Sequence, residues 1–202
     1  MQKDALIERV ASVLAMIARK TPRSEGRTPE QSRLVALRQE LYASEPEDID
    51  FLYQLENDQT LWEVSETQAP FSRQLLLSYI ENAHQDIYQA KQQRFVITYQ
   101  EKAVGCADLY DYQPKNKRAS VAMAVVAAFR QKGIATKALE LLCHYAFTFL
   151  DLHQLTAYIH QENLYSQKLF LRQGFLCTAT LKDWCFFDGN FQNVYLYQYF
   201  KP

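Results

Sequence analysis

Three strand-like runs follow one another with very little chain between them: Arg94 to Tyr99, Ala103 to Tyr112 and Ala119 to Val126. Each is short, apolar or alternating in pattern, and bounded by turn-forming residues. The joints are the turn at Gln100 to Lys102 and the polar loop Gln113 to Lys117. Joints that short permit only antiparallel neighbours, because a parallel crossover needs a dozen or more residues. An antiparallel meander therefore sits in the middle of the chain, and the rest must be built around it.

Downstream, Ala135, Leu139, Leu142, Ala146 and Phe149 recur at helical spacing and predict a helix over Gly133 to Leu150. Leu155 to Ile159 reads as a strand, and Asn163 to Arg172 as a short helix ended by Gly174. Phe175 to Phe187 and Phe191 to Phe200 form a closing hairpin across Asp188 and Gly189. Upstream, Leu37 to Ala43 reads as a first strand. Ser44 and Glu47 make a capping box ahead of Ile49, Phe51, Leu52 and Leu55. Phe71 to Tyr88 is helical in pattern, capped by Ser72, with Leu75, Leu76, Tyr79 and Ile80 on one side. Near the start, Leu6, Ile7, Val10, Val13, Leu14 and Ile17 predict an amphipathic helix over about residues 3 to 19, and a second begins at Thr28. Residues 1–35 are thus a helical extension and residues 36–202 one folded domain.

Composition narrows the function classes. With 48% hydrophobic residues, a chain of 202 residues buries a full core. Its 22 basic and 23 acidic side chains leave a net charge of −1, so no overall field favours nucleic acid or an anionic membrane. No stretch is long enough to span a bilayer. The apolar run Val10 to Ala18 faintly resembles a leader, but Asp4 and Glu8 interrupt its basic flank and Ala18-Arg19-Lys20 is a poor cleavage site. Cytoplasmic residence is the expectation. Cys106, Cys143, Cys177 and Cys185 lack metal spacing and read as reduced core residues; His84, His144, His153 and His160 lack it too. No metal is expected, and none of the histidines is assigned to catalysis. His160 alone falls near the mouth of the expected cleft.

The segment Val125 to Ala135 is a strand, a turn and a helix start with Gly133 inside it. Such a start presents unpaired backbone N–H groups and the positive end of a helix dipole, which suits phosphate. By itself, Arg130 to Gly133 is either that or an ordinary basic turn with a glycine for backbone freedom.

Arg130, Gly133 and Ala135 resemble the acetyl-CoA signature of the GNAT superfamily, in which Arg or Gln, two residues, Gly, one residue and then Gly or Ala follow the fourth strand. A second element matches: Asn163-Leu164-Tyr165-Ser166 followed by Phe170-Leu171-Arg172-Gln173-Gly174-Phe175 is similar to the family's Asn, helix, Gly-Phe. Two motifs in the right order are far more specific than one. The resemblance runs from about Leu37 to the C-terminus and leans toward spermidine N-acetyltransferases and ribosomal-protein alanine N-acetyltransferases.

The resemblance implies an α/β (α+β) GNAT fold: a mixed, mostly antiparallel sheet flanked by helices, with fourth and fifth strands splayed to admit acetyl-CoA. By the same resemblance, Met123, Ala124 and Val125 offer backbone groups to the pantetheine. Arg130, Gln131, Lys132, Gly133, Ile134, Ala135 and Thr136 hold the pyrophosphate, Asn163 bonds the pantetheine arm, and Ser166 and Phe170 line it. The implied activity is transfer of acetyl from acetyl-CoA to a primary amine, of a protein N-terminus or of a diamine or polyamine, by direct attack in a ternary complex.

Such a transfer needs a neutral amine, a site for the oxyanion and a proton for the departing thiolate. Spermidine acetyltransferases carry a tyrosine acid seven residues after the helix asparagine, where this chain has Phe170. Ser166 lies on the same helix face and is the preferred acid, or else it only bonds its own backbone. Tyr165, turned by about 100° around the helix, is a weaker candidate. For the base, Asp108 and Asp111 stand where spermidine acetyltransferase-like sequences carry glutamates. Three residues apart, they face opposite sides of a regular strand, and a solvated strand-end position is the plainer reading of each. Glu63 and Glu66 are either acceptor-attracting acids or exposed loop acids. Trp62 and Trp184 read as core before they read as slot walls. A GNAT-fold acetyl-CoA sensor without turnover is the alternative that Phe170 raises. Self-association through the N-terminal helix is left open.

Overall fold

A computed structural model describes residues 41–43, 46–65, 69–81, 87–187 and 189–202. The helices expected before Leu37, Ser44 of the capping box, His84 and Glu66 lie outside the described residues, as does the whole 1–35 extension. Seven strands form one sheet: β1 (Leu41–Ala43), β2 (Gln93–Tyr99), β3 (Lys102–Gln113), β4 (Arg118–Val125), β5 (Gln154–His160), β6 (Leu176–Phe187) and β7 (Asn190–Phe200). Their order is β1-β2-β3-β4-β5-β7-β6. Every neighbouring pair is antiparallel except β4 and β5. The exception follows from connection length, since the helix between these two strands carries the chain back to the edge where β4 began.

The helices are α1 (Ile49–Glu56), α2 (Gln59–Ser65), α3 (Arg73–Glu81), α4 (Ile87–Ala90), α5 (Ile134–Thr148) and α6 (Leu164–Arg172). They cover both faces of the sheet. Ala119, Val121 and Val125 of β4 and Leu155, Ala157 and Ile159 of β5 share a core with Ile134, Ala138, Leu139, Leu142 and Ala146 of α5. The period of two on the strands meets the period of 3.6 on α5, so each element offers one continuous apolar surface. On the opposite face, Cys106 and Ala124 pack against Leu52, Leu55, Leu61, Leu76 and Ile80 of α1 to α3.

Several expectations are corrected. The pattern read as a single helix over Phe71 to Tyr88 is helical over Arg73–Glu81 and Ile87–Ala90, with 82–86 outside the described residues. Ser72 does cap it, its Oγ accepting from Leu75 N at 3.1 Å. Leu75 itself is 54% exposed, because it lies off the Leu76–Ile80 line that the core covers. Of the four cysteines, only Cys106 and Cys143 are buried. Burial pushes the Cys143 thiol up to about 12 and raises Cys106 as well, so neither is a thiolate nucleophile near neutrality. Cys177 is exposed and Cys185 half-buried, and Trp184 is 58% exposed, since no helix covers that part of the β6–β7 hairpin among the described residues.

One glycine fixes how β3 meets β4. A Cβ on Gly105 would stand 2.3 Å from the Ala124 carbonyl oxygen and 3.1 Å from Val125 Cα, both backbone atoms that cannot swing away. Gly105→Ala is therefore expected to destabilise the fold by about 1–3 kcal/mol, the scale of overpacking in a filled core. It is also expected to shift the end of β4 and weaken CoA binding. Chemical denaturation together with calorimetric titration of CoA checks both, and an unchanged midpoint with unchanged affinity contradicts it.

Candidate active site

β4 and β5 are bonded only at their beginnings, through Arg118↔Gln154, Ala119↔Leu155 and Ser120↔Thr156. The last pair is closed by a buried contact between Ser120 Oγ and Thr156 Oγ1 at 2.8 Å. Beyond it β4 stays on β3 as far as Val125↔Gly105, and β5 stays on β7 as far as His160↔Val194. Each strand follows a different partner, so the two separate into a wedge. Val121 to Val125 and Ala157 to His160 thus present strand edges to each other without a ladder between them. A narrow chain of amides can pair with such an edge as an added strand. Met123 and Ala124 are partly exposed there and Val125 is buried.

At the wide end of β4 the chain makes a 3-10 turn over Ala127–Phe129 and passes through Arg130 into α5. Gln131 (φ 61°) and Gly133 (φ 78°) are both left-handed, and Gly133 is the N-cap of α5. This alternation turns successive N–H groups outward at the start of a helix, a geometry that accepts an anion. The first turn of α5 carries no acidic side chain. Ile134 is buried and anchors the loop, while Gln131, Lys132, Gly133 and Thr136 are exposed and Ala135 is partly so. Arg130 donates from Nε to the Val125 carbonyl at 2.9 Å, tying the loop to the end of β4. Lys132 sets its Nζ 4.7 Å over the Phe129 ring. The loop is thus pre-shaped and positive, which fits the pyrophosphate of CoA.

The other wall is the start of α6. Asn163 caps it, its Oδ1 accepting from Ser166 N at 3.1 Å, which leaves the amide Nδ2 to donate elsewhere. The Ser166 side chain is half-buried, and its hydroxyl has no hydrogen-bond partner among the described residues. Tyr165 is 77% exposed, as its one-residue offset around the helix requires. Phe170 is 4% exposed and packs edge-on against Phe175 at a centroid distance of 4.9 Å, so it belongs to the core.

A charged cluster on β2 and β3 adds a feature that the sequence does not announce. Arg94 on β2 stands opposite Asp108 on β3 and donates to both of its oxygens, Nε to Oδ1 at 2.8 Å and Nη2 to Oδ2 at 3.1 Å. The same guanidinium bonds Glu56 at the end of α1 and lies 5.7 Å from the Tyr79 ring centroid. Burial alone would depress the Arg94 charge. The Asp108 carboxylate beside it, with Cys106 and Glu56, outweighs that and holds Arg94 well above its ordinary value. Burial likewise raises Tyr79, with Arg94 opposing. Asp108 is therefore not a solvated strand-end acid: both of its oxygens are engaged by a guanidinium. Asp111, left-handed at φ 47° and exposed, accepts from Gln113 Nε2 at 3.0 Å. Trp62 donates its Nε1 to the Glu56 carbonyl at 2.9 Å, a structural bond. The side chains of Glu63 and Glu66 are outside the described set.

Glu56, Tyr79, Arg94 and Asp108 border a cleft of about 430 Å³ between α3 and the sheet, which Phe71, Leu76, Leu109 and Ala122 also line. Removing the cation strands two carboxylates in it. Arg94→Met is expected to destabilise the protein by about 1–3 kcal/mol, between the cost of breaking an exposed pair and that of breaking a fully buried one. Urea unfolding checks this, and a loss below about 1 kcal/mol would mean that the site is wetter than its burial implies.

No group of three or more histidine, cysteine, aspartate or glutamate side chains among the described residues is arranged to hold a metal. No described helix is long and apolar enough to cross a membrane.

Comparison with known proteins agrees with this geometry. The acetyltransferase (GNAT) domain family matches residues 38–176. The chain is 25% identical over 150 residues to spermidine N(1)-acetyltransferase of Escherichia coli (strain K12), covering 74% of this chain and 79% of that one. It is 24% identical over 155 residues to the enzyme of that name from Vibrio cholerae, covering 76% and 88%. The crystal structure of spermidine N-acetyltransferase from Vibrio cholerae in complex with CoA and spermine superposes with a TM-score of 0.74, covering 80% of this chain and 94% of that one at 22% identity. The chain belongs to the GNAT acetyltransferase family and is an acyltransferase that uses acetyl-CoA as its co-substrate.

Proposed function

We propose that this protein transfers acetyl from acetyl-CoA to a primary amine of a small cationic molecule, a diamine or polyamine, by direct attack within a ternary complex. The observation that carries the reading is the wedge between β4 and β5, open beyond the Ser120↔Thr156 pair and ending at the Gln131–Gly133 turn. Met123 to Val125 then pair with the pantetheine, Arg130 to Thr136 take the pyrophosphate, and Asn163 Nδ2 bonds the arm. The thioester lies near the start of α6, where Ser166 protonates the departing thiolate. Two carboxylates against one guanidinium in the neighbouring cleft leave an excess of negative charge, which favours a cationic acceptor. The spermidine acetyltransferases among its relatives support the same class.

A protein N-terminus is the second acceptor, and Phe170 in place of a tyrosine acid is the observation that keeps it in view. Acetyl-CoA consumption measured with spermidine, putrescine and an alanine-terminated peptide separates the two. Spermidine or putrescine is the expected substrate. Turnover of the peptide alone would replace the polyamine reading, and CoA binding without turnover of any of the three would favour a sensor.

A further inference from the structure

Two side-chain atoms among the described residues are buried with no hydrogen-bond partner, Nδ1 of His160 and Oε1 of Gln192. They are neighbours in the sheet. His160 ends β5 and pairs with Val194 of β7, so Gln192, two residues earlier on β7, is its diagonal partner on the same face. Such diagonal positions lie about 7–8 Å apart, within reach of long side chains. An imidazole N–H and an amide oxygen are complementary as donor and acceptor.

The face can be identified. Thr156 meets Ser120 through its hydroxyl, and alternation along the strands puts His160 on that face of β5, with Ala122 and Ala124 on that face of β4. Ala122 also borders the Arg94–Asp108 cleft. His160 thus stands past the point where β4 and β5 part, on the acceptor side, and is only 9% exposed. Its carbonyl accepts from Asn163 N at 2.9 Å and from Gln167 Nε2 at 3.3 Å, which fixes it to the turn of α6 that carries Ser166. Gln192 meanwhile lines an open cleft of about 400 Å³ whose carboxylates are Glu162 and Asp183.

We propose that His160 accepts the proton of the incoming amine and that Gln192 orients it. This rests on the reading of the protein as an amine acetyltransferase. Oε1 of Gln192 is the complementary acceptor for an Nδ1 proton, which would leave the lone pair on Nε2, although the two atoms are not in hydrogen-bond contact in this structure. The acceptor ammonium enters from the Arg94–Asp108 cleft, on the face of the sheet that carries Ala122 and His160. His160 removes one proton from it and later releases that proton to solvent. The amine nitrogen bonds the acyl carbon, and the carbon–sulfur bond breaks. The second nitrogen proton passes to Ser166 as Ser166 gives its own to the thiolate. Three ammonium hydrogens thereby become one amide hydrogen, one thiol hydrogen and one proton in solution.

The test compares wild type, His160→Ala, His160→Asn and Gln192→Ala, with turnover on the best amine of the panel above and CoA affinity by calorimetry. Both His160 variants are expected to lose about 10²-fold in kcat, the low end for an acid–base group, and to keep CoA affinity within about twofold. Added imidazole restores part of the His160→Ala loss, which a packing defect would not allow. Gln192→Ala is expected to lose about tenfold, the cost of one charge-assisted hydrogen bond. Retained CoA affinity shows that each variant is folded; should His160→Ala fail that check, the closer-sized His160→Asn decides. Turnover of the folded variants within about threefold of wild type, or a loss that imidazole does not touch, overturns the assignment of His160 alone. A wild-type protein that binds CoA yet acetylates no amine overturns the amine reading, and this proposal with it.

Discussion

Gly133→Asp is expected to abolish measurable binding of CoA while leaving a folded protein. Gly133 has φ +78°, and a Cβ built there meets nothing within 4 Å. The folded chain thus has room for a side chain, and its own penalty is the left-handed backbone, about 1–2 kcal/mol for an L-residue and less for aspartate. On the proposed reading, that open space is where the pyrophosphate approaches the N–H groups at the head of α5. A carboxylate there caps the helix start itself and repels a dianion. Gly133→Ala separates the causes, since it adds the Cβ and the strain without the charge and should weaken binding far less. Calorimetry and a melting curve read both. Wild-type affinity in a folded Gly133→Asp protein would remove the loop from the site.

Ser166→Ala carries the second large effect, a loss of about 10² in turnover with CoA affinity unchanged. The substitution is clean because the helix cap uses the Ser166 backbone N–H, which alanine retains, while only the hydroxyl is removed. A purely structural serine would show the opposite pattern, a shift in stability with little in kcat. Steady-state rates and thermal unfolding on the same preparation distinguish these outcomes, and full turnover in the variant would mean that another group protonates the thiolate. Phe170 gives the experiment its interest, because its ring is part of the core against Phe175 and has no proton to give.

The elements were legible where periodicity was strong. The meander, the long helix, the short helix with its asparagine cap and the closing hairpin all stand within a few residues of their expected ends. The wedge followed from the resemblance, since no run of residues in β4 or β5 states that each will follow a different neighbour.

The Arg94–Asp108 pair was hidden by register. Counting back from the tight turn, where Tyr99 pairs with Lys102, a regular ladder places Arg94 opposite Ala107. The shift between Ile97 and Thr98 moves it by one residue, onto Asp108. By sequence Asp108 is a solvated acid or a base; in the fold it is half of an ion pair. The apolar neighbours of Trp184 and Cys177 suggest core, yet β6 is an edge strand, and alternation cannot say whether a layer covers it. In the sequence His160 stands out only for its place near the cleft. What singles it out is a nitrogen without a partner, which is a property of packing and invisible in a sequence.

Backbone amide shifts followed during titration with CoA test the central claim most directly. The account predicts the largest changes at Gln131 to Thr136 and at Met123 to Val125, with smaller ones at the Asn163–Ser166 turn. Changes confined to the cleft beneath α3, with the Gln131–Thr136 amides unmoved, would contradict it.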